Sequence, residues 1–139
     1  IVGLGQAARL ATDGQSDILD RLQSLSDRFL AKLEQNLKGE AFIHGRHAQR
    51  VPSILSVELK GKSAKEVVAR CPEICVGPVG HEGHLDSYLG MAPTLATMGV
   101  TPNSADSTLR ISFGWTTTDD EVDRAAEVLA HAYDSSPSQ

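Results

Sequence analysis

Apolar residues recur at intervals of three and four along the first third of the chain. They form the series Ile18, Leu22, Leu25, Phe29, Leu33 and Leu37, which is one apolar stripe on a long helix. Ser16 has the position and chemistry of an N-cap for this helix, and Gly39 is placed to end it. Residues 6–12 are good helix formers, and Asp13-Gly14 interrupts them. The pattern predicts a long amphipathic helix preceded by a short one.

Two later segments alternate between apolar and polar residues, which is typical of strands with one buried face. The apolar positions are Leu55, Val57 and Leu59 in the first segment and Leu109, Ile111 and Phe113 in the second. Residues 41–43 and 74–76 are short apolar runs and predict two more strands. The glycine-rich stretch from Gly77 to Gly90 has no apolar period, so it predicts a loop.

The remaining segments predict shorter helices. Ser63 with Glu66, and Thr118 with Glu121, have the spacing of capping boxes. A helix over residues 92–98 follows from Pro93 near its start and Gly99 after its end. The buried face of the last helix is predicted from Val122, Ala125, Ala126, Leu129 and Tyr133. This order predicts an α/β (α+β) domain, with a small three- to four-stranded sheet and helices packed mainly on one face.

Composition narrows the class of protein. A length of 139 residues suits a single domain with a real core, and a net charge of -5 without a basic run gives no electrostatic footprint for nucleic acid. No stretch approaches the ~18 apolar residues of a membrane span. The two cysteines, Cys71 and Cys75, do not form a secreted disulfide framework. We therefore expect a reducing compartment, the cytoplasm or the mitochondrion.

Few residues suggest chemistry by pattern alone. His81 and His84 flank Glu82-Gly83, but a glycine-containing loop fixes no ligand geometry, so a solvated loop is favoured and no metal site is predicted. Arg110 alternates with the apolar residues of its strand and thus lies on the polar face. A guanidinium on a strand is a rigid fork for a carboxylate, but from the pattern alone an exposed arginine on a solvated sheet face is favoured.

Several motifs resemble those of one enzyme family. The run from Arg50 to Val57 resembles the R-[VL]-P-N-x-x-N-[VF] motif of the C-terminal small domain of selenocysteine lyases and cysteine desulfurases. The run from Leu109 to Thr117 resembles its [IL]-R-[FIL]-S-x-G-R-x-T-T motif, and Glu121-Val122-Asp123 resembles the E-[IV]-D that follows. Gly3-Leu4-Gly5 and Gly99-Val100 also match family positions. The order and spacing of these motifs agree over nearly the whole chain.

The resemblance implies a larger parent enzyme. Residues 1–139 would be its C-terminal small domain, and the large domain that binds pyridoxal 5'-phosphate would precede Ile1. The parent would be a homodimeric class V aminotransferase relative of fold-type I that releases selenium or sulfur from selenocysteine or cysteine and leaves alanine. Arg110 stands at the family arginine that holds the substrate carboxylate. The chain alone is expected to bind no cofactor and to be inactive.

Two departures from the family leave the function open. The position of the catalytic cysteine falls on Gly80, or on Gly83 if the loop is aligned from its other side, and Cys75 is a weak candidate. Trp115 replaces a second family arginine. Three interpretations follow: a lyase with an altered loop, a transaminase or other lyase that needs no catalytic cysteine, and a non-catalytic binding module.

Overall fold

The computed structural model of the chain describes residues 2–74, 77–78 and 93–138. Helices and strands alternate irregularly along it. The elements are α1 (Val2–Thr12), α2 (Gln15–Leu37), β1 (Ala41–Ile43), β2 (Ile54–Leu59), α3 (Ala64–Val68), β3 (Gly77–Pro78), α4 (Pro93–Thr97), α5 (Pro102–Asp106), β4 (Thr108–Ser112) and α6 (Asp119–Ser135).

The strands form one antiparallel sheet in the order β1-β2-β4-β3. Leu55 pairs with Ile111 and Val57 with Leu109, so the apolar positions of the two long strands share one face. These four side chains are buried, as the alternation predicts. This register therefore places Arg110 and its polar neighbours on the face of the sheet opposite the core.

The long helices α2 and α6 cover the apolar face of the sheet. Their buried residues join those of the strands and of α3 in one core. Phe29 of α2 meets Phe113 after β4 with ring centroids 5.6 Å apart, a tilted contact typical of aromatic pairs. The predicted fold class is confirmed. Two expected core positions differ, because Ile18 is exposed near the start of α2 and Ala125 is only half-buried.

The helix caps agree only in part with those predicted from the sequence. Thr118 and Glu121 form the predicted capping box of α6. The Ser16 prediction is wrong, because α2 begins at Gln15 after Gly14, whose φ of 109° lets the chain turn directly out of α1. Ser63 is the N-cap of α3 but makes no side-chain cap bond there. Its predicted partner, Glu66, receives a hydrogen bond from Arg70 at 2.8 Å instead.

Three other segments differ from the predicted elements. Strand β3 lies at Gly77–Pro78, where a loop was expected, and Ile74 lies in a bend rather than a strand. The rest of the predicted strand, residues 75 and 76, lies outside the described residues. Helix α5 was not predicted, although Thr101 before Pro102 is an N-cap followed by proline at the first helical position. Helix α1 buries none of its residues.

Candidate functional site

The candidate functional site is the face of the sheet opposite the core. We call it the polar face and define it by Phe42, His44, Ile54, Ser56, Glu58, Thr108, Arg110 and Ser112. These residues alternate with buried apolar neighbours along β1, β2 and β4. His44 follows β1 directly, and its backbone N–H extends the pairing by donating to the Ser56 carbonyl at 2.9 Å.

Arg110 lies near the middle of the polar face. Strand β4 is an inner strand, and its register sets Arg110 opposite Ser56 on one side and Gly77 on the other. Arg110 is exposed between two buried residues, Leu109 and Ile111. The position predicted from alternation is confirmed.

Ser56 lies opposite Arg110 on the neighbouring strand β2. Its hydroxyl is shielded from solvent, and within the described part of the chain it has no hydrogen-bond partner. A buried hydroxyl without a partner is costly, and such groups commonly mark sites completed by another molecule or another part of the protein. The unpaired hydroxyl lies in the same cross-strand row as Arg110.

His44 connects the outer and inner strands of the polar face. Its Nε2 lies 3.3 Å from Glu58 Oε2 and 3.3 Å from Thr108 Oγ1, and its side chain is only 6% exposed. The Phe42 ring packs edge-on against the imidazole, with centroids 5.2 Å apart. Burial lowers the pKa of His44, and the nearby Glu58 carboxylate opposes that shift. The imidazole is therefore held mainly in its neutral form near pH 7.

The sequence did not point to His44 as a site residue. It begins the polar segment 44–49, whose composition predicts a loop, and residues 44–47 do form turns. The available signal was its position two residues after Phe42, which extends the strand alternation onto the face of Glu58.

The motif residues after β4 have structural roles in the described part of the chain. The Gly114 N–H donates to Thr117 Oγ1 at 2.9 Å, and the Thr117 N–H donates to the Gly114 carbonyl at 3.1 Å. Together they close a tight turn. Trp115, at the replaced arginine position, lies in that turn and is 76% exposed.

Asp123 fixes α6 to α2. It receives hydrogen bonds of 2.7 Å from both Nε and Nη2 of Arg28, a bidentate pair. The hydrogen bond from Arg28 lowers the pKa of the Asp123 carboxyl. Arg50 has a comparable structural role, because its Nη1 donates to the buried Ser26 hydroxyl at 3.3 Å ahead of β2. Arg110 lies on the polar face with Ile54, Ser56 and Ser112 of the same motifs, and it is the charged residue among them.

Of the two cysteines, Cys71 lies among the described residues and Cys75 does not. Cys71 is buried and its thiol donates to the Val67 carbonyl at 2.9 Å. Burial raises the pKa of the thiol, with a smaller contribution from Glu73, so Cys71 is a poor nucleophile. Cys75, Gly80 and Gly83, the alternatives for the family cysteine position, lie outside the described residues, as do His81 and His84.

The described residues contain neither a cluster suited to a metal ion nor a helix suited to a membrane span. No group of three or more His, Cys, Asp or Glu side chains is arranged to hold a metal ion there. Within the same ranges, no helix is both long and apolar enough to span a bilayer.

Comparison with known proteins gives matches over almost the whole chain. Residues 1–125 match the family model described as Aminotransferase class-V. The chain is 30% identical over 134 residues to the cysteine desulfurase IscS of Pseudomonas fluorescens (strain SBW25), and 29% identical to that of Pseudomonas aeruginosa (strain LESB58). Each alignment covers 95% of this chain and 32% of the relative. The chain thus spans about a third of the length of the curated relatives it matches.

Solved structures share the fold. A NifS-like protein from Rickettsia africae ESF-5 aligns with a TM-score of 0.78 and 24% identity, over 95% of this chain and 33% of its own. A second NifS-like protein aligns with a TM-score of 0.72 and 22% identity, over 94% and 32% respectively. At these identities the likeness concerns the fold.

Proposed function

The chain belongs to the class-V aminotransferase family, and from this we propose that it is the domain of a longer pyridoxal-phosphate enzyme that binds the substrate carboxylate. The substrate would be selenocysteine or cysteine, and the products alanine with selenium or sulfur at the zero oxidation level, which an added thiol reductant converts to selenide or sulfide. The position of Arg110 is the observation on which the proposal rests most. It is an exposed guanidinium on an inner strand, flanked in the sheet by serine and glycine.

Arg110 would act by orienting the substrate. A guanidinium can donate two parallel hydrogen bonds to one carboxylate, which fixes both the position and the rotation of an amino acid. Because β4 is paired with β2 on one side and β3 on the other, the backbone of Arg110 has little freedom to move. A substrate held in this way presents its reacting bonds in a constant direction, which removes part of the entropic barrier.

The residues described here do not fit a cofactor site. Lys60 donates to the Gly39 carbonyl at 3.1 Å, Lys62 donates to the Ser136 carbonyl, and Lys32 pairs with Asp123 at 3.5 Å. None of these contacts resembles a lysine poised to bond pyridoxal phosphate. We propose that the cofactor is bound in the two thirds of the relatives' length that this chain does not span. When bound, it supplies the electron sink for the reaction.

A second candidate is a transaminase or lyase that uses no catalytic cysteine. It is favoured by the glycines at positions 80 and 83 and by the buried, poorly nucleophilic Cys71. Cys75→Ser in the full-length protein separates the two candidates. Loss of selenide or sulfide release with the fold intact would identify Cys75 as the nucleophile. Unchanged turnover would support a cysteine-independent reaction.

Product analysis of the full-length protein tests the proposed function. With L-selenocysteine or L-cysteine and an excess of dithiol as reductant, alanine should appear in equal amount to selenide or sulfide. A keto acid in place of alanine would indicate the transaminase. Absence of any product and of an imine absorbance would leave the binding module. The 139-residue chain alone should show neither turnover nor that absorbance, and a lysine-dependent imine band in it would contradict our assignment of the cofactor site.

A further inference from the structure

The end of the sheet where β2 begins and β4 finishes exposes three large apolar side chains, Val51, Ile54 and Trp115. The Phe113 N–H donates to the Ser53 carbonyl at 2.9 Å there, so the segments before β2 and after β4 run side by side. We call the three exposed residues the rim patch. Exposed apolar groups that border polar residues commonly mark a surface that another molecule or domain covers.

The rim patch is continuous with the polar face through Ile54. Ile54 pairs with Ser112. Ser56, two residues later on the same face of β2, pairs with Arg110. Ile54 and Arg110 are therefore diagonal neighbours, a relation that sets residues about 7–8 Å apart. A surface that approaches Arg110 from outside the sheet thus also approaches the rim patch.

Trp115 lies on a turn that the surrounding residues hold in place. Two hydrogen bonds between Gly114 and Thr117 close the turn, and Arg21 Nη2 on α2 donates to the Thr117 carbonyl at 3.0 Å. The residue after the turn, Thr118, is the N-cap of α6. A fixed turn loses little conformational entropy when a partner binds, and tryptophan is enriched among the residues that contribute most to interfaces. The turn therefore presents the ring in a form suited to docking.

The proposed reaction indicates which surface covers the rim patch. An amino acid bound to Arg110 by its carboxylate reacts at the bonds next to that carboxylate, so the catalytic part of the longer protein must lie close against the polar face. That part belongs to the two thirds of the relatives' length that this chain does not span. Because the rim patch borders Arg110, it falls within the same contact.

We propose that the rim patch is a docking surface for the remainder of the longer protein, an apolar area of which covers Val51, Ile54 and Trp115. The contact holds the polar face against the catalytic part. The partner surface is apolar, because the indole N–H is the one hydrogen-bonding group among the three side chains. The inference rests on the proposed function, since the substrate on Arg110 is what requires the two parts to meet.

Acrylamide quenching of tryptophan fluorescence in the full-length protein tests this proposal. Trp115 is the one tryptophan of the 139-residue chain, and subtracting the emission of a Trp115→Phe variant separates its signal from that of any tryptophan elsewhere in the longer protein. The covered ring should be quenched several-fold less than free N-acetyltryptophanamide and should emit at shorter wavelength. Quenching equal to that of the free compound would overturn the proposal, because the ring would then face water.

Cross-linking identifies the surface that covers the ring. With p-benzoylphenylalanine in place of Trp115, irradiation should form a bond to a peptide of the same polypeptide that lies outside residues 1–139. A product with the mass of two chains would mean that a second copy covers the rim patch, and a bond to a different protein would mean an external partner. Either of these products, or no product, would overturn the proposal.

Steady-state kinetics measure what the contact contributes to the carboxylate site. Trp115→Ser in the full-length protein should raise KM for the amino acid about tenfold, the effect of removing one strongly contributing interface side chain. Trp115→Phe keeps an apolar ring and should raise KM less. Met98→Ser is the matched control, because Met98 is exposed after α4 and outside the rim patch, and KM should not change. An unchanged KM in Trp115→Ser would contradict a contact that holds the polar face in place.

The proposed function can fail independently. If Arg110→Ala leaves KM unchanged, the assignment of Arg110 is wrong, and quenching and cross-linking still decide whether the rim patch is covered. If Arg110→Ala raises KM while Trp115 is quenched as freely as the free compound, the carboxylate site stands and the docking role of the rim patch is refuted.

Discussion

Truncation of Ile111 to alanine tests the strand register on which the polar face depends. Ile111 is 5% exposed, pairs with the buried Leu55, and belongs to the core beneath α2 and α6. Removing buried carbons loses their transfer free energy and leaves a cavity, so Ile111→Ala should lower the free energy of unfolding by about 2–5 kcal/mol. At the middle of that range the unfolding equilibrium constant rises by more than two orders of magnitude.

Urea denaturation of the 139-residue chain, followed by far-ultraviolet circular dichroism, measures this loss. The chain should unfold in one cooperative transition. Ser112→Ala is the matched control, because Ser112 is the next residue of β4 and is exposed. Its effect should stay within about 0.5 kcal/mol. A similarly small effect for Ile111→Ala would mean that the register is shifted by one residue, which would turn Arg110 into the core.

Three further changes test other parts of the structure by the same urea assay. Thr118→Ala removes the acceptor of the α6 capping box and should cost about 1 kcal/mol, and an unchanged value would contradict the cap. Asp123→Asn removes the charge of the bidentate partner of Arg28, which keeps its contact with Asp119 at 3.3 Å, so the urea midpoint should fall, and fall less in about 1 M salt; equal losses in low and high salt would argue against an ionic origin. Burial lowers the folded-state pKa of His44 below the unfolded value of about 6.5. The contribution of the neutral imidazole to the free energy of unfolding is therefore complete above about pH 6.5, and it declines as the pH falls toward the folded-state pKa. The decrease in the free energy of unfolding between roughly pH 7.5 and 5.5 should therefore be larger in the unaltered chain than in His44→Gln. Equal decreases would contradict the burial of a neutral imidazole.

Local periodicity was enough to predict the main framework. The period-two alternation in β2 and β4 predicted which side chains are buried, because a strand in an antiparallel sheet with one buried face has no other consistent arrangement. The stripe of α2 likewise predicted its buried face from Leu22 to Leu37. Arg110 could be placed on the polar face for the same reason. Its proposed role came from the motif around it, since an exposed arginine on a strand has no unique meaning.

The parts that were missed depend on contacts between distant segments. Gly77 and Pro78 have low strand propensity, and they form β3 because they pair with Arg110 and Leu109. The importance of His44 arises from its reach to Glu58 and Thr108, which are far from it in sequence. The Ser63 cap failed for a local reason: Glu66 can pair with Arg70 one turn later, which removes one half of the capping box.

The most direct test of the central claim is the substrate affinity of the full-length protein when Arg110 is changed. Arg110→Ala should raise KM for the amino acid by a factor corresponding to about 1.5–3 kcal/mol, the contribution of a charged hydrogen bond. Arg110→Lys should restore only part of it, because an ammonium cannot reproduce the bidentate fork. An unchanged KM in Arg110→Ala, with the fold intact, would contradict the assignment of the polar face as the carboxylate site.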